Sequence, residues 1–129
     1  MRILLPLVAS GLLGLAAVGC RSAPPSEGTE PMRIEVLGFP DCPNTAPFRD
    51  RVAAAAELVG GFEVVAIDQE TLPAGDPRRG YPAPTALLGG RDLFGLPAPV
   101  GSGAGCRIYA GGLPGVDEIA NRLRASRGR

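Results

Sequence analysis

The sequence predicts an α/β domain of order β-α-β-β-β-α, a mixed sheet flanked by helices, over residues 32–129. Three observations predict it. Residues 33–68 pass from a β-rich run through a stretch of helical period into a second β-rich run, the pattern of a parallel βαβ unit. Gly89-Gly90 stands between two short apolar runs, which is hairpin punctuation. From Val116 onward the apolar residues recur once more at helical spacing.

Ahead of that domain, Arg2 gives a short positive start and Ile3 to Val18 is an uncharged run of Leu, Val, Ala and Gly. This reads as a secretory signal, too short and too interrupted by Gly to span a bilayer comfortably. Its end, Ala17-Val18-Gly19-Cys20, resembles the lipobox of bacterial lipoproteins, although that family usually has Leu where Ala17 stands. The resemblance implies cleavage after residue 19 and lipid on the Cys20 sulfur. The alternative is a plain signal peptide cut between Ala17 and Gly19, with Cys20 an incidental thiol. Residues 20–31 are rich in Ser, Pro, Gly and Glu with almost nothing to bury, so they form a flexible tether. The expected protein is exported and anchored in a membrane by its lipid, facing the periplasm or the cell exterior.

Within the domain, Arg33 to Phe39 holds β-branched and aromatic residues in partial alternation and ends at Pro40-Asp41, so it reads as a strand. Ala46 to Val59 reads as a helix, with Phe48, Val52, Ala55, Ala56 and Val59 on one face and Gly60-Gly61 as its stop. Phe62 to Asp68 is a second strand, and Gln69 to Tyr81 has no period and reads as loop. Thr85–Leu88 and Arg91–Phe94 are the hairpin strands; Leu96 to Gly105 is a Gly/Pro-rich loop, Cys106–Tyr109 a brief strand, and Val116–Ala125 a helix.

Composition closes several functional routes. The chain has no His and no Lys, and its 13 Arg balance 13 acidic residues to a net charge of zero. Without His there is no Ser-His or Cys-His catalytic pair; without Lys there is no Schiff base and no phosphate-loop lysine. Zero net charge argues against nucleic acid as a partner. Gly101 to Gly105 lacks the strand-to-helix setting of a phosphate loop, Asp68, Glu70 and Asp76 lack calcium-loop spacing, and Arg78-Arg79 reads as a solvated loop face. Three cysteines remain as the chemically active residues, two of them, Cys42 and Cys106, within the domain. No cofactor is implied.

Two stretches carry a likeness to a known fold family. Phe39-Pro40-Asp41-Cys42-Pro43-Asn44-Thr45 ends the first strand, and Ala83-Pro84-Thr85-Ala86-Leu87-Leu88-Gly89-Gly90-Arg91 precedes and forms the hairpin. Together, in this element order, they resemble the thioredoxin-like superfamily over residues 32–124. Within it the chain is similar to small bacterial proteins with a Gly-Phe/Tyr-Pro-x-Cys-Pro-Asn start and a later Cys-Arg-x-Tyr. The resemblance implies that Cys42 occupies the reactive position and that Pro84 is cis beside its sulfur, shaping a substrate groove. It departs from the family at Thr45, which stands where a second cysteine is usual. The Thr45 hydroxyl can donate a hydrogen bond to the Cys42 sulfur but cannot resolve a mixed disulfide.

The chemistry of Cys42 depends on how much it gains from the helix that follows. A thiolate is stabilised at a helix N-terminus, but Pro47 would kink a helix that began at Cys42, so a start with Asn44 or Thr45 as N-cap leaves Cys42 in the loop. Asp41, next to it, would raise the thiol pKa if close. For Cys42 and Cys106 three readings stay open: a structural disulfide, a reversible redox pair with Cys106 as resolving cysteine, or unpaired thiols. The leading functional expectation is a membrane-tethered thiol-disulfide oxidoreductase acting on a protein or small thiol/disulfide substrate through Cys42, Cys106, Pro84 and Thr45. The alternatives are a binding protein for soft Cu(I) or Hg(II) that uses Cys42 and Cys106 as metal ligands, and a redox-inactive interaction scaffold.

Overall fold

The structure, a computed structural model, describes residues 28–101 and 105–129. The expected signal peptide, Cys20 and most of the expected tether lie outside the described residues. Among the described residues no helix is long and apolar enough to cross a membrane.

Strand β1 (Met32–Gly38) lies at the centre of a four-stranded mixed sheet of order β2-β1-β3-β4. Helix α1 (Thr45–Val59) carries the chain to β2 (Phe62–Asp68), which pairs parallel to β1 in the register Met32↔Phe62 to Gly38↔Asp68. On its other edge β1 pairs antiparallel with β3 (Thr85–Leu88), Val36 opposite Ala86. The turn to β4 (Arg91–Asp92) is Gly89-Gly90, with φ of 58° and 76°, left-handed values that a two-residue hairpin turn of type I′ requires. Helix α2 (Val116–Ser126) closes the chain.

Both helices flank the sheet from one side. Phe48, Val52, Ala55 and Ala56 from α1 and Ile119, Ala120 and Leu123 from α2 share one core with Ile34, Val36 and Ala86, so both helices lie on the same face. The opposite face carries Leu37 and Leu87, and loop residues Tyr81 and Leu96 cover it instead. Strand pleating explains the split, because successive side chains of β1 point to opposite faces.

Pro47 does not kink α1. It is the third helical residue, in the first turn, where backbone N–H groups have no intrahelical acceptor, and the first i to i−4 bond runs from Phe48 N–H to Asn44 at 3.0 Å. Gly60, with φ 73°, ends the helix by donating to the Ala56 carbonyl at 2.8 Å.

Three local expectations also change. The 69–81 segment is more ordered than a loop: it forms two 3-10 turns, Gln69–Thr71 and Pro77–Gly80, because the Asp68 and Asp76 carboxylates accept from the N–H groups of Glu70 and Arg78, each at 2.9 Å. Arg78 pairs with Asp76 at 2.7 Å and Glu35 at 3.2 Å, and Arg79 donates to Leu72, so both arginines brace this segment. Strand β4 stops at Asp92, because Gly95 turns back onto its carbonyl and Phe94 packs against Phe48 and Tyr109. Finally, Cys106–Tyr109 is not a strand; only Cys106 forms a bridge, to Ala83.

Candidate functional site

The site begins where β1 ends. Gly38 leaves room that any larger residue would fill: a Cβ there would collide with the Thr45 side chain, its Oγ1 lying 2.7 Å away. The chain then folds into two short turns, Cys42 N–H donating to Phe39 at 3.2 Å and Thr45 N–H to Cys42 at 3.1 Å. Cys42 therefore precedes α1 by one turn, as the helix start at Thr45 demands. Its side chain is buried, 3% exposed, with the sulfur 3.5 Å from the Ala83 carbonyl oxygen.

Across that sulfur lies Cys106, brought there from 64 residues away, its thiol donating to Cys42 Sγ at 3.4 Å. This exceeds the roughly 2.05 Å of a disulfide, so both thiols are free, yet it is van der Waals contact. Cys106 is exposed where Cys42 is buried.

What holds Cys106 in place is a set of contacts around Pro84. The Ala83–Pro84 bond is cis. Ala83 N–H donates to Gly105 at 2.8 Å, and Arg107 N–H donates to Ala83 at 2.7 Å, so backbone bonds flank Cys106 on either side. The Arg107 guanidinium grips both oxygens of Asp92 at 2.9 Å each, also donates to Thr85 Oγ1 at 3.1 Å, and stacks 4.2 Å over the Tyr109 ring. Tyr109 in turn donates its hydroxyl to the Pro84 carbonyl at 2.8 Å. The Asp92 side chain is fully buried, and its second oxygen also accepts from Leu96 N–H at 2.8 Å. This forked pairing is the strong form of a charged hydrogen bond.

The electrostatics separate the two sulfurs. Burial pushes the Cys42 thiol up, but donors outweigh it: the N–H of Asn44, the Cys106 thiol, and the hydroxyl and N–H of Thr45 bring it below its ordinary value. Cys106 moves up, first because it is the donor in that bond, then by burial and by the charge on Cys42. The Thr45 hydroxyl has two acceptors in reach, the Cys42 sulfur and the Phe39 carbonyl at 3.4 Å. Asp41 is exposed and is not among the groups that act on the sulfur.

All four residues singled out in the domain, Cys42, Thr45, Pro84 and Cys106, meet at this point. The sequence reading missed Asp92, Arg107 and Tyr109, although the Cys-Arg-x-Tyr spacing carried two of them. Cys106 opens onto a groove of about 590 Å³ that Pro82, Phe94, Ile108 and Arg122 help to line, while Cys42 lies at the base of a separate hollow of about 270 Å³ beside Phe39, Arg49 and Asp68. A larger hollow of about 850 Å³, near Arg91 and Arg129, holds neither sulfur. Among the described residues no group of three or more His, Cys, Asp or Glu is placed to hold a metal ion.

No family model matches the chain, and neither a curated protein nor a solved structure matches it significantly.

Proposed function

We propose that this protein is a thiol-disulfide oxidoreductase of thioredoxin-like fold, exported and tethered to a membrane through lipid on Cys20, in which Cys42 and Cys106 form the reversible redox pair. The observation that carries this reading is the contact of the two sulfurs at 3.4 Å, with one disposed to be thiolate and the other its proton donor. Two thiols in contact at 3.4 Å can close to a bond of about 2.05 Å by losing two electrons and two protons to a disulfide substrate. The sheet order β2-β1-β3-β4, a cysteine between β1 and α1, and a cis proline ahead of β3 support the fold assignment. Pro84 and its neighbours build the wall of the site, and Thr45 steadies the thiolate in place of a second cysteine.

The test is a count of free thiols by alkylation and mass spectrometry as the full chain is equilibrated over a series of glutathione potentials. A Cys42–Cys106 disulfide that opens near or above about −250 mV is the expected result, and one that resists to below about −300 mV would make the pair a structural staple. Two thiols that stay free throughout would favour the metal reading. One observation favours that second reading: the described residues provide two converging sulfurs and no third ligand, which suits a soft two-coordinate ion such as Cu(I) or Hg(II). Titration with each ion then decides it.

A further inference from the structure

The two sulfurs are unequal in a way that sets the order in which they act. Cys106 is exposed at the mouth of its groove, whereas Cys42 is 3% exposed and has the Cys106 sulfur and the Ala83 carbonyl on it. Thiol-disulfide exchange is an in-line displacement, so the attacking sulfur must be open to a disulfide that presents its S–S bond end-on. A substrate reaching the pair from the groove of about 590 Å³ meets Cys106, while Cys42 faces only the smaller hollow of about 270 Å³ and is 3% exposed there.

We propose that Cys106 is the sulfur that attacks an incoming disulfide and that Cys42 is the resolving cysteine, the reverse of the order expected from the sequence. The inference rests on the oxidoreductase reading. In the first step Cys106 Sγ attacks the near sulfur of the substrate disulfide RS–SR′. A Cys106–S–S–R bond forms, the RS–SR′ bond breaks, R′S⁻ leaves, and the Cys106 proton passes along the existing hydrogen bond to Cys42. Cys42 then gives that proton to R′S⁻. In the second step the Cys42 thiolate attacks Cys106 Sγ from within contact distance, the Cys42–Cys106 bond forms, and RS⁻ departs. The protein pair is oxidised by two electrons and the substrate disulfide is reduced to RS⁻ and R′SH. Arg107, Asp92 and Tyr109 act in this scheme as positioning residues that hold Cys106 over Cys42, and Arg107 and Tyr109 also line the groove.

The order is tested with glutathione disulfide as the probe, on the full chain with Cys20 unchanged, by locating adducts through peptide mass spectrometry. Cys42→Ser should trap glutathione on Cys106. Cys106→Ser should acquire glutathione on Cys42 at least about tenfold more slowly, since that sulfur is buried. The wild type should end as the Cys42–Cys106 disulfide without adduct. Equal or faster labelling of Cys42 in Cys106→Ser would overturn the order and leave the oxidoreductase reading standing. A wild type whose two thiols stay free, with no adduct in either variant, would overturn both. Should the Cys42 variant not fold, limiting N-ethylmaleimide on the reduced wild type gives the same decision: Cys106 modified first supports the order, and Cys42 modified first overturns it.

Discussion

Cys42 illustrates how burial and hydrogen bonding oppose each other at a single atom. Loss of water alone would make its thiol a weaker acid, and four donors reverse that. The proton held by Cys106 is part of the same balance, so the two sulfurs titrate as a pair, Cys42 moved down and Cys106 moved up. The sign for stability follows from the two directions. The folded pKa of Cys42 is depressed, so its contribution is present above the unfolded value and lost as pH falls through the folded one. The folded pKa of Cys106 is raised, so its contribution is present below the unfolded value and lost as pH rises through the folded one. The stability difference between reduced wild type and the Cys42→Ser/Cys106→Ser variant should therefore grow as pH rises through the lowered Cys42 value, peak near the ordinary thiol value of 9.0, and shrink as pH rises on through the raised Cys106 value. Chemical denaturation across that range checks it; a flat difference would mean that the sulfurs do not share a proton.

At the scale of elements, the Gly105–Tyr109 segment is held by a single backbone bridge at Ala83 and otherwise by side chains. Its anchor is a forked ion pair whose carboxylate is fully buried. Removing one partner leaves the other charge uncompensated, so Arg107→Ala should destabilise the reduced protein by about 3 kcal/mol. It should also slow formation of the Cys42–Cys106 disulfide, because Cys106 loses its guide. Replacing both partners, as in Asp92→Asn with Arg107→Met, should restore most of the stability without restoring the rate. Denaturation and quenched-flow alkylation separate the two effects, and equal recovery of both would show that Arg107 stabilises without positioning. This segment also marks the limit of what could be read beforehand. Cys106-Arg107-Ile108-Tyr109 has strand-like composition, but no neighbouring strand is in reach beyond Ala83, so it forms one bridge and turns away. Strand β1, α1, β2 and the Gly-Gly hairpin were legible because period and turn chemistry are local. Strand β4 and the two 3-10 turns were less so: Asp68 and Asp76 accept from N–H groups two residues on, a local turn pattern with no apolar period to mark it, while Asp92 also accepts from Arg107, a donor that only the fold brings near.

For the whole molecule, the two sulfurs join the turn between β1 and α1 to the segment ahead of α2. The sheet and both helices meet in one core on a single face. A bond between residues 64 apart would close most of that core into a loop and stabilise it by about 4 kcal/mol on the chain-entropy account. At roughly 4–8 °C per kcal/mol for a small domain, the oxidised chain should therefore melt about 15–30 °C above the reduced one, less whatever strain the bond adds. Calorimetry on both forms reads this directly. An oxidised form no more stable than the reduced one is expected if the bond is strained, and such a bond is also the more readily reduced.

The amino-acid sequence by itself determined the element order, the position of Cys42 before α1, the turn at Gly89-Gly90 and the absence of His and Lys chemistry. Each of these follows from neighbours within a few residues or from composition. Tertiary structure alone decided that both helices share one face, that Cys106 rests on Cys42, and that the exposed sulfur is the distant one. Those facts depend on the buried grip of Arg107 on Asp92 and on the cover that loop residues give the second face of the sheet. Such contacts arise between segments that no local period connects, so only the folded chain brings them together.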